Sequence, residues 1–203
     1  LSTRRITRRA CARIARAAFE EATRRRGHVT AVHKANVLKL GDGMFLEEIR
    51  KVAADYPAVT LDEVIVDAMA ALLVRDPSRF DVVVTTNMYG DILSDEAGEI
   101  AGSLGLAPSL NAGDEMAIAQ AVHGSAPDIA GKSVANPTAL ILSVAMLFDW
   151  LAARGGAPAL AEAARAIDAA IDATLADPAR RTPDLGGPLA ERAFAEAVAA
   201  RIA

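Results

Sequence analysis

The stretch Phe80-Asp81-Val82-Val83-Val84-Thr85-Thr86-Asn87-Met88-Tyr89-Gly90-Asp91-Ile92-Leu93-Ser94-Asp95 decides the fold. Its apolar run, residues 80–84, is continuous rather than alternating, the pattern of a strand in a parallel sheet covered on both faces. Asn87 to Gly90 reads as a polar turn, and a helix follows from about Asp91 to Ala101. Strand, turn and helix in that order mark one unit of an α/β sheet. The turn then lies at the C-terminal end of the strand, where open α/β sheets put their ligands.

Upstream, Thr7 caps a predicted helix that runs to about Arg26 and stops at Gly27, with Ile6, Ala10, Ile14, Ala17 and Ala18 on its apolar face. His28 to His33 reads as a strand. Gly41-Asp42-Gly43 reads as a turn, Met44 to Ala54 as a helix, Val64 to Val66 as a short strand and Asp67 to Val74 as a helix. Downstream, a Gly/Pro/Asn-rich stretch, Gly102 to Gly113, separates the halves. Met116 to Val122 reads as a strand and residues 124–136 as a long loop. Three helices close the chain at about 137–153, 158–176 and 188–202. The alternation predicts an α/β protein, divided into residues 1–101 and 102–203.

Composition narrows the function. The chain has 203 residues, 52% of them apolar, which is enough for a sizeable core and unlike a disordered chain. A net charge of −4 argues against nucleic acid as a partner, since phosphate binding wants a basic face. At 4% aromatic content there are few platforms for stacking bases. The single cysteine, Cys11, excludes a disulfide framework and a Cys-rich zinc site; on an arginine-rich helix its thiol is either activated or, more simply, a small core residue. The longest apolar region, 139–153, is broken by Ser143 and Asp149 and is too short to span a membrane. With no apolar leader, a cytoplasmic setting is expected. The arginines clustered between Arg4 and Arg26 have a transit-peptide flavour, but Glu20, Glu21 and the apolar stripe favour a folded surface helix. The chain opens on Leu1 rather than Met, so a start further upstream is expected.

Asp91 and Asp95, four residues apart, project from one face of a helix. Two readings fit: hard oxygen ligands for Mg²⁺ or Mn²⁺, or solvated acids near a helix N-terminus. Asp67 opens a helix after a strand and is either a plain cap or a third carboxylate for such an ion. Lys34 follows a strand and is either a surface lysine or a base whose pKa is lowered by its surroundings; His33 beside it reads as a satisfied strand residue. The loop His123-Gly124-Ser125-Ala126-Pro127-Asp128-Ile129-Ala130-Gly131 offers backbone N–H groups to a nucleotide. In that loop Asp128 would accept from a ribose diol and repel a 2′-phosphate, which favours NAD over NADP. It equally reads as an ordinary loop, with Asn136 capping the helix begun at Pro137. There is no Gly-rich dinucleotide fingerprint, P-loop or nucleophile elbow.

Taken together, several runs resemble the isocitrate/isopropylmalate dehydrogenase family: Asn87 to Asp95 with Gly102-Ser103-Leu104-Gly105; His123 to Lys132 with Ala135-Asn136-Pro137-Thr138; Lys34-Ala35-Asn36; Val66-Asp67-Ala68-Met69; and Thr182-Pro183-Asp184-Leu185-Gly186-Gly187. They fall in order and span nearly the whole chain. The resemblance implies that family's α/β fold, incomplete at the N-terminus, with residues 1–101 as the dimer-forming, metal-binding domain and 102–203 as the C-terminal part of the nucleotide-binding domain. It implies NAD- and metal-dependent oxidative β-decarboxylation of a 2-hydroxy di- or tricarboxylate in a homodimer with shared active sites. By position, Asp91 and Asp95 match the metal ligands of one subunit and Asp67 the ligand from its partner. Lys34 matches the lysine that crosses the interface for proton transfer, and Asn36 a residue near nicotinamide and substrate. His123, Gly124, Ser125, Ala126, Asp128, Ile129 and Asn136 match the cofactor loop. An isocitrate-type substrate is the first expectation; isopropylmalate, homoisocitrate and tartrate or malate are the alternatives, as is a catalytically silent fragment or regulatory subunit. The family's substrate arginines and catalytic tyrosine have no match here, since Tyr56 and Tyr89 do not align with that tyrosine. Ala119-Gln120-Ala121 also stands where many members carry Glu-Pro.

Overall fold

A computed structural model describes Leu1 and residues 3–202. The chain divides into two compact units, Leu1–Ala97 and Gly98–Ala203, the boundary falling near the end of a helix.

The first unit is built on a parallel three-stranded sheet of β1 (His28–His33), β2 (Thr60–Ile65) and β3 (Val82–Thr85), in the order β2-β1-β3. Around it run α1 (Arg8–Thr23), α2 (Gly41–Ala53), α3 (Val66–Arg75) and the start of α4 (Asn87–Ile100). The central strand β1 is covered on both faces. Val29 and Ala31 pack with α1 and α2, around Phe19, Phe45 and Ile49. Val32 packs on the other side with Met69, Leu73, Tyr89 and Leu93. Within this stretch β3 pairs in parallel as expected but lies at the edge of the sheet with Val83 exposed, so the double cover expected for residues 80–84 is seen here at β1 instead.

Thr7 caps α1 as its sequence predicts, its Oγ1 accepting the Ala10 N–H at 3.2 Å. The buried stripe is Cys11, Ala15, Ala18, Phe19 and Ala22; Ile14 and Ala17 are exposed, so the expected face is rotated. Burying Phe19, which stacks on Tyr56, decides the orientation. Cys11 is a free thiol in the core, and burial pushes its pKa up, so the core reading holds. Two expected turns are helical instead. Gly41-Asp42-Gly43 forms the first turn of α2, and Asn87 to Gly90 the first turn of α4. The start of α4 is tied by the Gly90 N–H to the Thr86 carbonyl at 2.9 Å.

The second unit holds an antiparallel hairpin of β4 (Pro108–Ala112) and β5 (Ala117–Ala121), packed on α5 (Thr138–Ala152). Helices α6 (Pro158–Leu175) and α7 (Glu191–Ile202) complete it around Ile171, Phe194 and Val198. The stretch expected to be a plain separator therefore contains β4; a proline is tolerated there because it opens the strand. Ser143, which interrupts the apolar run of α5, is fully buried. Its Oγ accepts the Ser109 N–H of β4 at 3.1 Å and lies 2.8 Å from the Gln120 carbonyl of β5. Among the described residues no helix is long and apolar enough to cross a membrane.

Candidate active site

Parallel pairing brings the C-terminal ends of three strands together. His33 of β1 pairs with Ile65 of β2, and Val32 with Thr85 of β3. The residue after β1, Lys34, therefore emerges between the start of α3 and the start of α4. Asp67 lies in the first turn of α3, where a carboxylate is favoured by the helix dipole.

Lys34 is no free surface lysine. Its Nζ donates to Asp67 Oδ1, and its side chain is 27% exposed. The hydrogen bond from Lys34 holds the Asp67 carboxyl below its usual range. Asp67 thus faces the lysine and is more than a helix cap. His33 is satisfied locally, its Nδ1 accepting the Ala35 N–H at 3.0 Å. Asn36 is exposed two residues on.

Asp91 and Asp95 lie one turn apart on α4, both exposed, and neither carboxylate has a hydrogen-bond or ion-pair partner among the described residues. The structure does not gather Asp67 with them. Among the described residues no three His, Cys, Asp or Glu side chains come together as a metal centre. One chain thus presents a lysine–carboxylate pair and, separately, an unpartnered carboxylate pair.

In the second unit, β5 runs into the loop of residues 122–137 that leads to α5. His123 through Asp128 are exposed and Ile129 is half-buried. None of the N–H groups of Gly124, Ser125 and Ala126 is taken up by a hydrogen bond among the described residues. Ala126 adopts φ 41° and Ser133 φ 56°, left-handed backbone that costs about 1–3 kcal/mol at such residues and is common in ligand-binding loops. Composition gave no sign of this strain.

Asn136 is buried, with its side chain bonded at both ends. Its Oδ1 accepts the Thr138 N–H at 3.0 Å, capping α5, and its Nδ2 donates to Asp184 at 3.0 Å. The Asn136 side chain thus meets the first N–H of α5 much as expected, from one residue before the N-cap Pro137. Burial opposes ionisation of Asp184, but hydrogen bonds from Ser103, Thr182 and Asn136 outweigh it and hold the carboxyl below its usual range. Gly105 is required beside this cluster, because a Cβ there would lie 2.7 Å from the Asn136 Cβ.

Sequence reasoning missed Asp42. It is fully buried, and its Oδ2 accepts the Lys34 backbone N–H at 2.8 Å. The one available signal was an acid held between two glycines eight residues after the lysine.

Comparison with known proteins supplies the frame. The family model for isocitrate/isopropylmalate dehydrogenase matches residues 1–200. An isocitrate/homoisocitrate dehydrogenase of Thermus thermophilus is 51% identical over 194 residues, covering 95% of this chain and 56% of that protein. A 3-isopropylmalate dehydrogenase of Archaeoglobus fulgidus is 49% identical over 195 residues, covering 96% and 57%. The crystal structure of isocitrate dehydrogenase from Methylococcus capsulatus superposes with a TM-score of 0.91 at 45% identity, covering all of this chain and 58% of that one. The chain spans a little over half the length of these relatives.

Proposed function

The chain belongs to the isocitrate/isopropylmalate dehydrogenase family, and on that premise we propose that the whole protein oxidises and decarboxylates a 2-hydroxy di- or tricarboxylate, passing hydride to NAD, as a homodimer with shared active sites. The observation that carries this reading is the split between the Lys34–Asp67 pair and the unpartnered Asp91 and Asp95. A second copy would set one half against the other. Val74 on α3, with Met88 and Ile92 on α4, supports such an interface, for all three are large, apolar and exposed. Residues 1–101 would then serve dimerisation and metal binding, and residues 102–203 the nucleotide.

The donor set fits a hard divalent cation: carboxylate oxygens, no thiolate, and two acids held near each other without a cation of the chain between them. Asp91 and Asp95 of one protomer and Asp67 of the other would hold Mg²⁺ or Mn²⁺. When bound, that ion supplies a Lewis acid for the substrate hydroxyl and for the charge that develops as CO₂ leaves. Lys34 carries the proton. As the amine it accepts the hydroxyl proton while hydride departs, and its place beside Asp67 keeps it next to the ligand set. Asn36 would face nicotinamide and substrate. His123, Gly124, Ser125, Ala126 and Ile129 would cradle the cofactor, with Asn136 contributing backbone. Asp128, exposed and acidic, would accept from the ribose diol and select NAD against a 2′-phosphate.

The test is NADH formation by the full-length protein with isocitrate, homoisocitrate, isopropylmalate, malate and tartrate, with and without Mn²⁺. Turnover of one acid, dependent on Mn²⁺ and led by isocitrate, is expected. Absence of turnover with all five would overturn the reading. Residues 1–203 by themselves are expected to turn over none of them, since the family's substrate arginines and tyrosine have no match in this stretch.

A further inference from the structure

We propose that Asp42 is a positioning residue for Lys34: from inside the protein it grips the lysine's backbone with one oxygen and Arg4 with the other, and so aims the lysine Nζ at Asp67. The inference rests on the reading that Lys34 carries the proton.

Asp42 has no exposed surface, a rare condition for an acid unless it is paired. It lies in the first turn of α2, yet α2 has no side-chain cap. The carboxylate is used outside its own helix. Its Oδ2 accepts the Lys34 N–H at 2.8 Å, and its Oδ1 pairs with the Arg4 guanidinium. The other side of the Lys34 peptide is held too. Its carbonyl accepts the Val37 and Leu38 N–H groups at 2.9 and 2.8 Å, and the Asp42 N–H closes on the Leu38 carbonyl at 3.0 Å. The segment 34–42 is therefore a closed loop that leaves Lys34 little but its side-chain torsions. Beyond Asp42, the Arg4 guanidinium stands 5.8 Å from the ring centre of Tyr89 on α4. Tyr89 precedes Asp91 by two residues, so one buried acid connects the lysine to the helix that bears the carboxylate pair.

A buried carboxylate between an N–H and a guanidinium is a rigid spacer, because charge-assisted hydrogen bonds are short and directional. Removing it leaves the part-buried Lys34 N–H without its acceptor and the Arg4 guanidinium with Tyr89 but no carboxylate. The lysine then relaxes, and misplacement by about 1 Å costs about 10²-fold in rate.

The experiment uses the full-length, Mn²⁺-loaded protein with isocitrate. For Asp42→Ala, kcat is expected to fall about 10²-fold with KM changed far less, since the loss is one of aim. Asp42→Asn keeps an acceptor for the Lys34 N–H and is expected to lose less, about tenfold. Ile49→Val, a buried truncation in the same helix, is the packing control and is expected to lower the thermal midpoint without lowering kcat. Labelling with acetic anhydride, read by peptide mass spectrometry, reports on Lys34 independently of turnover. Modification of Lys34 relative to Lys132 is expected to rise severalfold in Asp42→Ala. Unchanged labelling, a normal kcat in Asp42→Ala, or an equal loss of kcat in Ile49→Val would overturn the proposal. If the wild-type protein fails to turn over isocitrate, the substrate reading falls, and the labelling ratio alone then decides the role of Asp42.

Discussion

Replacing Ser143 by alanine removes a single oxygen, yet that oxygen serves both strands of the hairpin. Ser143 has no exposed surface. Its Oγ accepts from Ser109 on β4 and lies within hydrogen-bond distance of Gln120 on β5 and of Ala139 in its own helix. Ser109 and Gln120 are cross-strand partners, so one hydroxyl holds a matched pair of the ladder against α5. The Ala139 contact lies within the helix and matters least. Loss of the other two leaves a part-buried N–H and a part-buried carbonyl, each costing about 1–3 kcal/mol when unsatisfied. Partial access to water at the hairpin lowers the sum, and we expect about 2–4 kcal/mol. For a chain of about 200 residues, each kcal/mol moves the midpoint by about 2–4 °C, so a fall of about 4 °C or more is expected. Scanning calorimetry reads the midpoint, and amide exchange of a peptide spanning residues 108–121 reads the location. A midpoint within 2 °C of wild type, about 0.5–1 kcal/mol, with unchanged exchange in that peptide, would refute the reasoning. Because β5 leads into the loop assigned to NAD, weaker NAD binding should accompany the loss.

Further perturbations separate the parts of the site. Mn²⁺ is expected to raise the thermal midpoint of the full-length wild type; combining Asp91→Asn with Asp95→Asn should abolish that rise, and EDTA should remove it, both read by thermal shift. Asp184 is held below its ordinary pKa of 3.8. Its contribution to stability is therefore present above pH 4 and lost as pH falls through the depressed value. Asp184→Asn should flatten that acid limb, seen as midpoints recorded from pH 5 to pH 3. Gly105→Ala forces a Cβ to 2.7 Å from the Asn136 Cβ and should destabilise by about 1–3 kcal/mol through overpacking; denaturant titration checks it.

What could be read from the sequence was set by how local each feature is. The bounds of β1 were legible because its apolar residues and the glycine before it act within a few positions. Thr7 as a cap was legible for the same reason. Gly41 to Gly43 and Asn87 to Gly90 carry turn chemistry and nevertheless form first helical turns, because tertiary contacts override weak propensities. Asp42 shows the mechanism: its contacts to Lys34 and Arg4 fix the start of α2 from outside the helix. The face of α1 was misjudged because the stripe was drawn through Ile14 and Ala17 and left out Phe19, the largest apolar side chain of the helix. In the site, the spacing of Asp91 and Asp95 was visible, but the pairing of Lys34 with Asp67, thirty-three residues apart, depends on strand order and register. Neither is written in either segment alone. The same holds for Asn136, whose cap is local but whose second tie, to Asp184, crosses from α5 to the turn before α7.

If two protomers share their clefts as proposed, a polypeptide that bears both members of a lock has a genetic consequence. One allele spoiled at Lys34 and another spoiled at Asp91 would each yield a dead homodimer. Co-expressed, they would also assemble mixed pairs in which both lesions meet in one cleft and the opposite cleft inherits two sound halves. Interallelic complementation, approaching half the specific activity of wild type for each mixed pair, is the expected phenotype, and it would not arise if each protomer worked by itself.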